Sequence, residues 1–286
     1  MIGAVIIDGT DIATLGVMMV RGGDHDFISF PSRKDPVLID WPDEDGFEIG
    51  DFEPAYDAKK LTVNYLLTGN ETNFLSRLNA FANLHFVAAN NSIYVREFDT
   101  TFSLRFAGIS SLDLSRGFTR TGEKRARISI DYIMDNPTQF LNPAITVPTA
   151  NRTPDTKVEI GGVDLSAFGI IIKGVYPTAL KQAPKDGIIY SSRYTTGQTV
   201  TFPSAVKKQK QNIALSCAMV CADRDEFMEN WNALWNAVAV SSLSLGLTAA
   251  GKTYTAYYND MSGFKKRPLG VKAKAEFEMN FMGYEV

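Results

Sequence analysis

Histidine and cysteine are all but missing from this chain: its 286 residues carry two of each, His25, His85, Cys217 and Cys221. Two thiols with no second CxxC pair, and two histidines far apart, fall short of a zinc ligand set. Cys217 and Cys221 stand four apart in a segment that alternates like a strand. At about 3.3 Å per residue their α-carbons are too distant for a disulfide, so both read as buried apolar residues. An acyl-transfer triad needs histidine beside a nucleophile, and neither His25, in a polar loop, nor His85, at a helix end, accompanies a Gly-x-Ser-x-Gly elbow. Gly117 to Lys124 imitates a phosphate loop, but Glu123 follows the second glycine where lysine is required. Asp43 and Glu44 lie in a charge-dense loop rather than in a cleft of the kind that glycoside hydrolysis sets between two carboxylates. No catalytic, cofactor-binding or metal-binding residue is assigned, and the chain is not expected to be an enzyme.

Basic excess is missing too. The formal net charge is −3 and the isoelectric point near 5.5, which provides no face for neutralising phosphates, so any contact with DNA is expected to be transient. No apolar run approaches the roughly 20 residues that span a bilayer, and Met1 to Val5 lacks the flank and core of a secretion signal. The expectation is a soluble chain made in the cytoplasm, with no membrane partner.

What the chain does contain is one plan written twice, about 153 residues apart. Ile7-Asp8-Gly9-Thr10-Asp11-Ile12-Ala13-Thr14-Leu15-Gly16-Val17 aligns with Ile160-Gly161-Gly162-Val163-Asp164-Leu165-Ser166-Ala167-Phe168-Gly169-Ile170, so Gly9, Asp11 and Gly16 recur as Gly162, Asp164 and Gly169. At the same offset, Asn79-Ala80-Phe81 and Asn83 recur as Asn232-Ala233-Leu234 and Asn236. A period of this size means two whole domains rather than a solenoid. The expected division is residues 1–136, a linker 137–156 that carries Pro137, Pro143, Pro148 and Pro154, and residues 157–286.

Each copy opens with two short strands, Ala4–Asp8 and Gly16–Arg21, then Val158–Ile160 and Gly169–Lys173, joined through glycine turns. A polar excursion follows, Pro31 to Asp57 and Lys181 to Lys210, read as hairpin arms or loops. Period-two alternation then marks a half-buried strand, with Leu61, Val63, Tyr65 and Leu67 answered by Ile213, Leu215, Cys217 and Met219. Helical spacing predicts one helix per copy, Asn70 to Asn83 and Asp223 to Ala237, with N-caps at Asn70 or Thr72 and at Asp223. Trp231 and Trp235, one turn apart, are expected to pin the second helix to its sheet, the alternative being a stacking platform for a sugar. Further strands close each copy: Ser92–Glu97, Phe102–Ile109 and Lys124–Met134, then Ser241–Thr248, Thr253–Asp260 and Val271–Met282. The fold class is mainly β, a sandwich or barrel with one flanking helix per domain.

The two excursions carry opposite charge. Pro31 to Asp57 holds nine acids, among them Asp35, Asp40, Asp43, Glu44, Asp45, Glu48, Asp51 and Glu53, against Arg33 and Lys34. Lys181 to Lys210 holds Lys181, Lys185, Arg193, Lys207, Lys208 and Lys210 against Asp186. If copies alternate around a ring, an acidic arm lies beside a basic one, which sets register between subunits; the alternative is two solvated loops whose charges never meet.

This order of elements resembles the tail-tube fold of long-tailed bacteriophages, shared by tube, distal tail and baseplate-hub proteins. The resemblance rests on the strand–helix–hairpin run from Leu61 through Phe106, the late strand at Ile128-Ser129-Ile130-Asp131-Tyr132-Ile133, and their counterparts Ile213 through Tyr257 and Glu276-Phe277-Glu278-Met279-Asn280-Phe281. It implies a structural virion protein of a phage tail: a distal tail or baseplate ring component, conduit for DNA and adaptor between tube and tip. The implied partners are copies of itself, as a trimer with six tube-like domains or a hexamer, and tube, hub and tape-measure proteins. Sheet alternation places Glu276 and Glu278 on one face, which is expected to face a channel through which phosphates must pass without sticking. Arg125 and Arg127 stand at the comparable place in copy one and fit that expectation less well. The alternative function is a carbohydrate-binding or receptor-binding module of the tail tip that uses the exposed Trp41 and the acidic loop.

Overall fold

The computed structural model describes residues 5–41, 44–50, 53–116, 122–150, 156–175, 184–185, 188–190, 196, 199–201, 207–267, 269 and 272–286. Among them the first repeat runs β1 (Val5–Ile7), β2 (Thr10–Asp11), β3 (Val17–Met19), α1 (His25–Ile28), β4 (Leu38–Ile39), β5 (Glu48–Ile49), β6 (Lys59–Gly69), α2 (Phe74–Leu84), β7 (Asn91–Val95), β8 (Thr100–Arg116) and β9 (Lys124–Met134). The second runs β10 (Val158–Ile160), β11 (Val163–Asp164), β12 (Ile170–Val175), β13 (Ile188–Tyr190), β14 (Thr199–Thr201), β15 (Gln211–Val220), α3 (Arg224–Val238), β16 (Leu243–Leu247), β17 (Lys252–Lys266) and β18 (Lys274–Glu285). The chain is mainly β, in two tandem domains.

The duplication is a duplication of topology. One seven-stranded sheet has the order β2-β1-β7-β8-β9-β6-β3 and the other β11-β10-β16-β17-β18-β15-β12, element for element the same. The sequence signature has a local cause. Asp11 accepts the Ala13 N–H at 3.0 Å and Asp164 the Ser166 N–H at 2.8 Å, each starting a short 3-10 turn, Ile12–Leu15 and Leu165–Phe168. Gly16 and Gly169 end these turns at φ of 69° and 74°, where a side chain is strained. A Cβ on Gly16 would also meet the Thr68 carbonyl at 2.5 Å, and one on Gly169 the Val220 carbonyl at 3.0 Å.

Two compact units form. Unit 1 comprises residues 1–31, 56–142 and 264–273, and unit 2 comprises 32–55, 143–263 and 274–286. Each unit therefore takes a segment from the other repeat: the acidic excursion belongs to unit 2, and the tip of the β17–β18 hairpin to unit 1.

In unit 1 the alternation of β6 buries Leu61, Val63, Tyr65 and Leu67, with the Tyr65 ring edge-on to Phe81 of α2. Burying such side chains stabilises by about 1.5–3 kcal/mol each. In unit 2, β15 buries Ile213, Leu215, Cys217 and Met219, while Trp231 of α3 stacks on Phe227 and meets Phe277 edge-on at 5.1 Å. Trp231 and Trp235 are both buried, so they pin the helix as the spacing predicts and offer no platform to a sugar.

Several boundaries differ from the sequence reading. The N-cap of α2 is Asn73, not Asn70 or Thr72; the Asn70 side chain instead accepts the N–H groups of Thr72 and Asn73, shaping the turn just before the helix. Asp223 does cap α3, accepting the Glu226 N–H at 2.9 Å, and Glu226 reaches back to the Ala222 N–H. The excursions do agree with their reading as hairpin arms, since β4 pairs antiparallel with β5, and β13 with β14. β8 runs on to Arg116, carried through three register shifts by its pairing with β9.

The proline-bearing stretch also has a fixed place where it is described. Asn230 accepts the N–H groups of Thr149 and Ala150, at 2.8 and 3.3 Å, and Asn236 donates to the Ile145 carbonyl at 2.7 Å, strapping residues 145–150 onto α3 within unit 2.

Candidate interaction surfaces

Opposite charges of the two arms meet within one chain, inside unit 2. The Lys185 ammonium lies 2.5 Å from the Asp40 carboxylate and donates to the Trp41 carbonyl at 2.7 Å, with the lysine side chain 8% exposed. Asp45 accepts the Lys208 N–H at 2.7 Å, and the Lys208 carbonyl accepts the Gly46 N–H at 2.9 Å. Glu44, Glu48 and Glu53 are exposed, as is Lys210, and Lys207 is half-buried. Asp43, Asp51, Lys181 and Arg193 lie outside the described residues. Trp41 is 51% exposed.

The acidic arm is held by residues that a count of charges overlooks. Arg33 donates to the carbonyls of Val240 and Ser241, both at 3.1 Å, and its guanidinium stands 4.9 Å above the Tyr257 ring. Phe47 is buried edge-on to Tyr257 and Tyr284. Gly46 leaves room for the Tyr284 ring, which a Cβ would meet at 2.0 Å. Arg33 is a minority charge in an acidic stretch, and that contrast was the one signal available.

The outward faces of the two sheets carry a second inversion. Register pairs Tyr65 with Ile128 and Cys217 with Phe277, so the repeats superpose Arg127 on Glu276 and Ser129 on Glu278. Glu276 accepts from Lys173 at 2.7 Å and Lys274 at 2.8 Å, and these hydrogen bonds hold its carboxyl down at about 2. Arg127 stands across from Asp113 on β8, and Arg125 pairs with Glu123 at 3.0 Å. The arginines thus occupy the positions of Lys274 and Glu276. On this face of unit 1, Asp131 accepts from Thr62 and Ser110, and Ser111, Ser129 and Asn64 form a hydroxyl–amide chain across three strands. In unit 2, Asn280 donates to Asp260 at 2.6 Å.

Two buried polar clusters lie in unit 1. His85 Nε2 is 2.6 Å from the Tyr132 hydroxyl, itself 3.3 Å from that of Tyr65, while Nδ1 meets the Phe81 carbonyl at 3.0 Å. Burial lowers the pKa of the imidazole and raises those of both phenols. The second cluster is ionic: Lys266 lies 2.5 Å from Asp24, 2.8 Å from Glu97 and 4.8 Å above the Phe98 ring, its side chain 2% exposed. Burial raises the pKa of Glu97, while hydrogen bonding to Glu97 and the Lys266 charge outweigh burial and leave that of Asp24 lowered. Lys59 turns its ammonium inward to the Ser29 carbonyl at 2.6 Å, and desolvation pushes it down to about 7.

Cys217 and Cys221 are buried and unbridged, and burial pushes the Cys217 thiol up to about 12. Among the described residues no three His, Cys, Asp or Glu side chains converge on a metal position, and no helix is long and apolar enough to cross a membrane.

No protein-family model matches the chain, and no curated protein does. Among solved structures it is similar to the crystal structure of SPP1 Dit (gp 19.1), described as a paradigm of the hub adsorption apparatus in phages that infect Gram-positive bacteria. That match covers 100% of both chains at 10% identity, with a TM-score of 0.35.

Proposed function

We propose that this chain is a structural component of a bacteriophage tail: a ring-forming distal tail or baseplate protein that encloses a conduit for DNA and adapts the tube to the tail tip. The observation that carries this reading is the doubled sheet. Two domains of the same strand order in one chain offer quasi-equivalent surfaces, and repeated heterologous contacts between such surfaces close a ring. The resemblance of the element order to the tail-tube fold supplies the biological setting. On this reading the chain is not an enzyme, binds no cofactor and touches DNA only in passage.

The exposed acids Glu44, Glu48 and Glu53 and the base Lys210 then face neighbouring subunits, while Asp40 and Lys185 brace the arm within each chain. The outward sheet faces, with Glu276 and Glu278 in unit 2 and Arg127 in unit 1, are the channel candidates, and Glu276 is bridged by Lys173 and Lys274, so that no uniform positive field grips phosphate there.

Negative-stain microscopy with native mass spectrometry tests the proposal. A hollow ring is expected. Three chains per ring would mean that the repeats alternate, six that one repeat lines the channel, and a solitary chain at all concentrations would overturn the reading. The half-exposed Trp41 supports a second reading, glycan binding at the tail tip. Glycan-array binding that disappears in Trp41→Ala would favour it.

A further inference from the structure

Three charged side chains of unit 1 meet away from water. Asp24 stands just before α1, Glu97 two residues after β7, and Lys266 at the end of β17, in the tip that unit 1 takes from the second repeat. Their side chains are 7%, 15% and 2% exposed, and the ammonium lies over the Phe98 ring. Lys266 Nζ is 2.5 Å from Asp24 Oδ2 and 2.8 Å from Glu97 Oε1, which also accepts the Leu269 N–H at 2.7 Å. A side-chain hydrogen bond joins the two carboxyls. The fold does not require this cluster. Counted from the equivalent strands, Ala249 stands in the second repeat where Glu97 stands in the first, and Leu114 on β8 where Lys266 stands on β17. Burying ionised groups is also a poor route to stability, since apolar residues of the same volume do as well or better.

The arrangement is that of an amine and an acid poised to condense. With Nζ at 2.5 Å from a carboxyl oxygen, ordinary bond angles put it about 3 Å from the carboxyl carbon, within the range of a near-attack geometry. Asp24, whose pKa is lowered against the pull of burial by the hydrogen bond with Glu97 and the charge of Lys266, starts as the carboxylate. Away from water, two neutral groups cost less to bury than two ions, which favours passing a proton from the ammonium to Asp24. Burial raises the pKa of Glu97, which suits that carboxyl to hold and return a proton beside both partners.

We infer that unit 1 cross-links itself: the side-chain nitrogen of Lys266 condenses with the carboxyl of Asp24 to form an isopeptide bond, with Glu97 relaying the protons. The neutral amine attacks the carbon of the protonated Asp24 carboxyl, and a C–N bond forms as the carbonyl electron pair moves onto oxygen. Glu97 gives its proton to the hydroxyl, which leaves as water when the C–O bond breaks, and takes one back from the nitrogen. Amine and acid thus give amide and one water, and Glu97 ends as it began. The ionic cluster is the state before condensation. The bond joins residues 242 apart in sequence and ties the hairpin tip of the second repeat to the first, a tether that unfolding does not open. It is a single turnover of the chain on itself, and it stands whether or not chains form a ring.

Mass spectrometry of the intact, denatured full chain tests it. Wild-type protein is expected to be lighter than its sequence by one water, about 18 Da, and its digest to contain a branched peptide joining Lys266 to Asp24. The full sequence mass, after prolonged incubation of the folded protein, would overturn the inference. So would a loss of water that persists in Lys266→Arg, because it would then arise elsewhere, as at Asp8-Gly9 or Asp45-Gly46, where a succinimide loses the same mass. Glu97→Gln, with a wild-type circular dichroism spectrum, should be recovered at full mass, its linking slowed roughly a hundredfold or more by loss of the proton carrier. Recovery of that variant fully linked would overturn the role given to Glu97. The first measurement uses wild-type protein, so it decides the matter even if a variant fails to fold.

Discussion

The two repeats fill the same gap between helix and sheet with different chemistry. In the first, Tyr65, His85 and Tyr132 form a hydrogen-bonded chain beneath α2. The register of the strands and the 153-residue offset of the helices place Cys217, Val238 and Phe281 in the same three positions of the second, all buried and largely apolar. Volume is redistributed: where the first repeat puts a large Tyr65 on its strand and Leu78 on its helix, the second puts a small Cys217 on the strand and Trp231 on the helix. One topology thus tolerates two cores, provided that the large side chains are redistributed and the polar groups of the first core, Tyr65, His85 and Tyr132, bond one another.

The largest expected effect lies where the second core leans on its one large residue. Trp231→Ala should cost about 3–5 kcal/mol, because Trp231 is fully buried and the small Cys217 cannot fill the space. Leu78→Ala at the equivalent place should cost much less, since Leu78 is only half-buried. Denaturant midpoints of the two variants check the ordering.

Next comes Lys266→Ala, which leaves Asp24 and Glu97 facing each other without their cation. Losing one partner of a buried ionic cluster costs about 3–5 kcal/mol, and the lower end is expected because the Glu97 carboxyl, whose pKa is already raised, accepts a proton. The deficit should shrink as the pH is lowered and the carboxylates are neutralised. A deficit that stays constant with pH would show that Lys266 acts by packing over Phe98 alone.

The polar chain can be broken in one repeat and imitated in the other. Tyr132→Phe removes the hydroxyl between His85 and Tyr65 and should cost about 1–3 kcal/mol by stranding both. Phe281→Tyr places a hydroxyl at the equivalent, apolar position and should cost a similar amount, for want of a partner. If both changes are neutral, the two cores are interchangeable and the hydrogen bonds in the first are incidental.

How much of this was legible in the sequence depends on how far each partner lies along the chain. The pair Asp11 and Gly16 announced itself twice because capping is local: donor and acceptor are two residues apart. Alternation gave β6 and β15 for the same reason. Arg33 finds its acceptors more than 200 residues away, at Val240 and Ser241, and Lys266 finds Asp24 at a separation of 242, so neither pattern is visible in a window. The arms show the limit most clearly: their opposite charges were plain, yet that Asp40 meets Lys185 inside one chain follows from where unit 2 recruits residues 32–55. The far end of β8 was missed because Gly108, Ser110 and Ser111 interrupt the alternation that its hydrogen bonds to β9 carry through.

Histidine offers a gentler way to separate the repeats, since both His25 and His85 fall in unit 1. Burial lowers both below the ordinary value of 6.5. The unfolded chain therefore binds protons near 6.5 while the folded chain resists, so the stability they contribute is full above that pH and declines as the pH falls below it. Amide hydrogen exchange between pH 7 and 5 should show α2 and β9 losing protection while α3 and β18 hold. Equal loss in both repeats would shift the cause to the carboxylates.

The smallest effect belongs to the most conspicuous ion pairs. Glu276, bridged by Lys173 and Lys274, has its carboxyl lowered to about 2 against an ordinary 4.5, so the stabilising charge is present above 4.5 and is lost only as the pH falls toward 2. All three side chains are open to water, where screening cancels most of what such bridges contribute. Glu276→Gln should therefore leave the melting temperature near the wild-type value, and added salt should erase any remaining difference. The superposed residue is Arg127, and the exchange Arg127→Glu should be as mild for folding, since that face of the sheet is not core. Any large loss that these two variants share would have to appear in assembly instead, where ring yield by native mass spectrometry tells a channel or contact surface from an idle one.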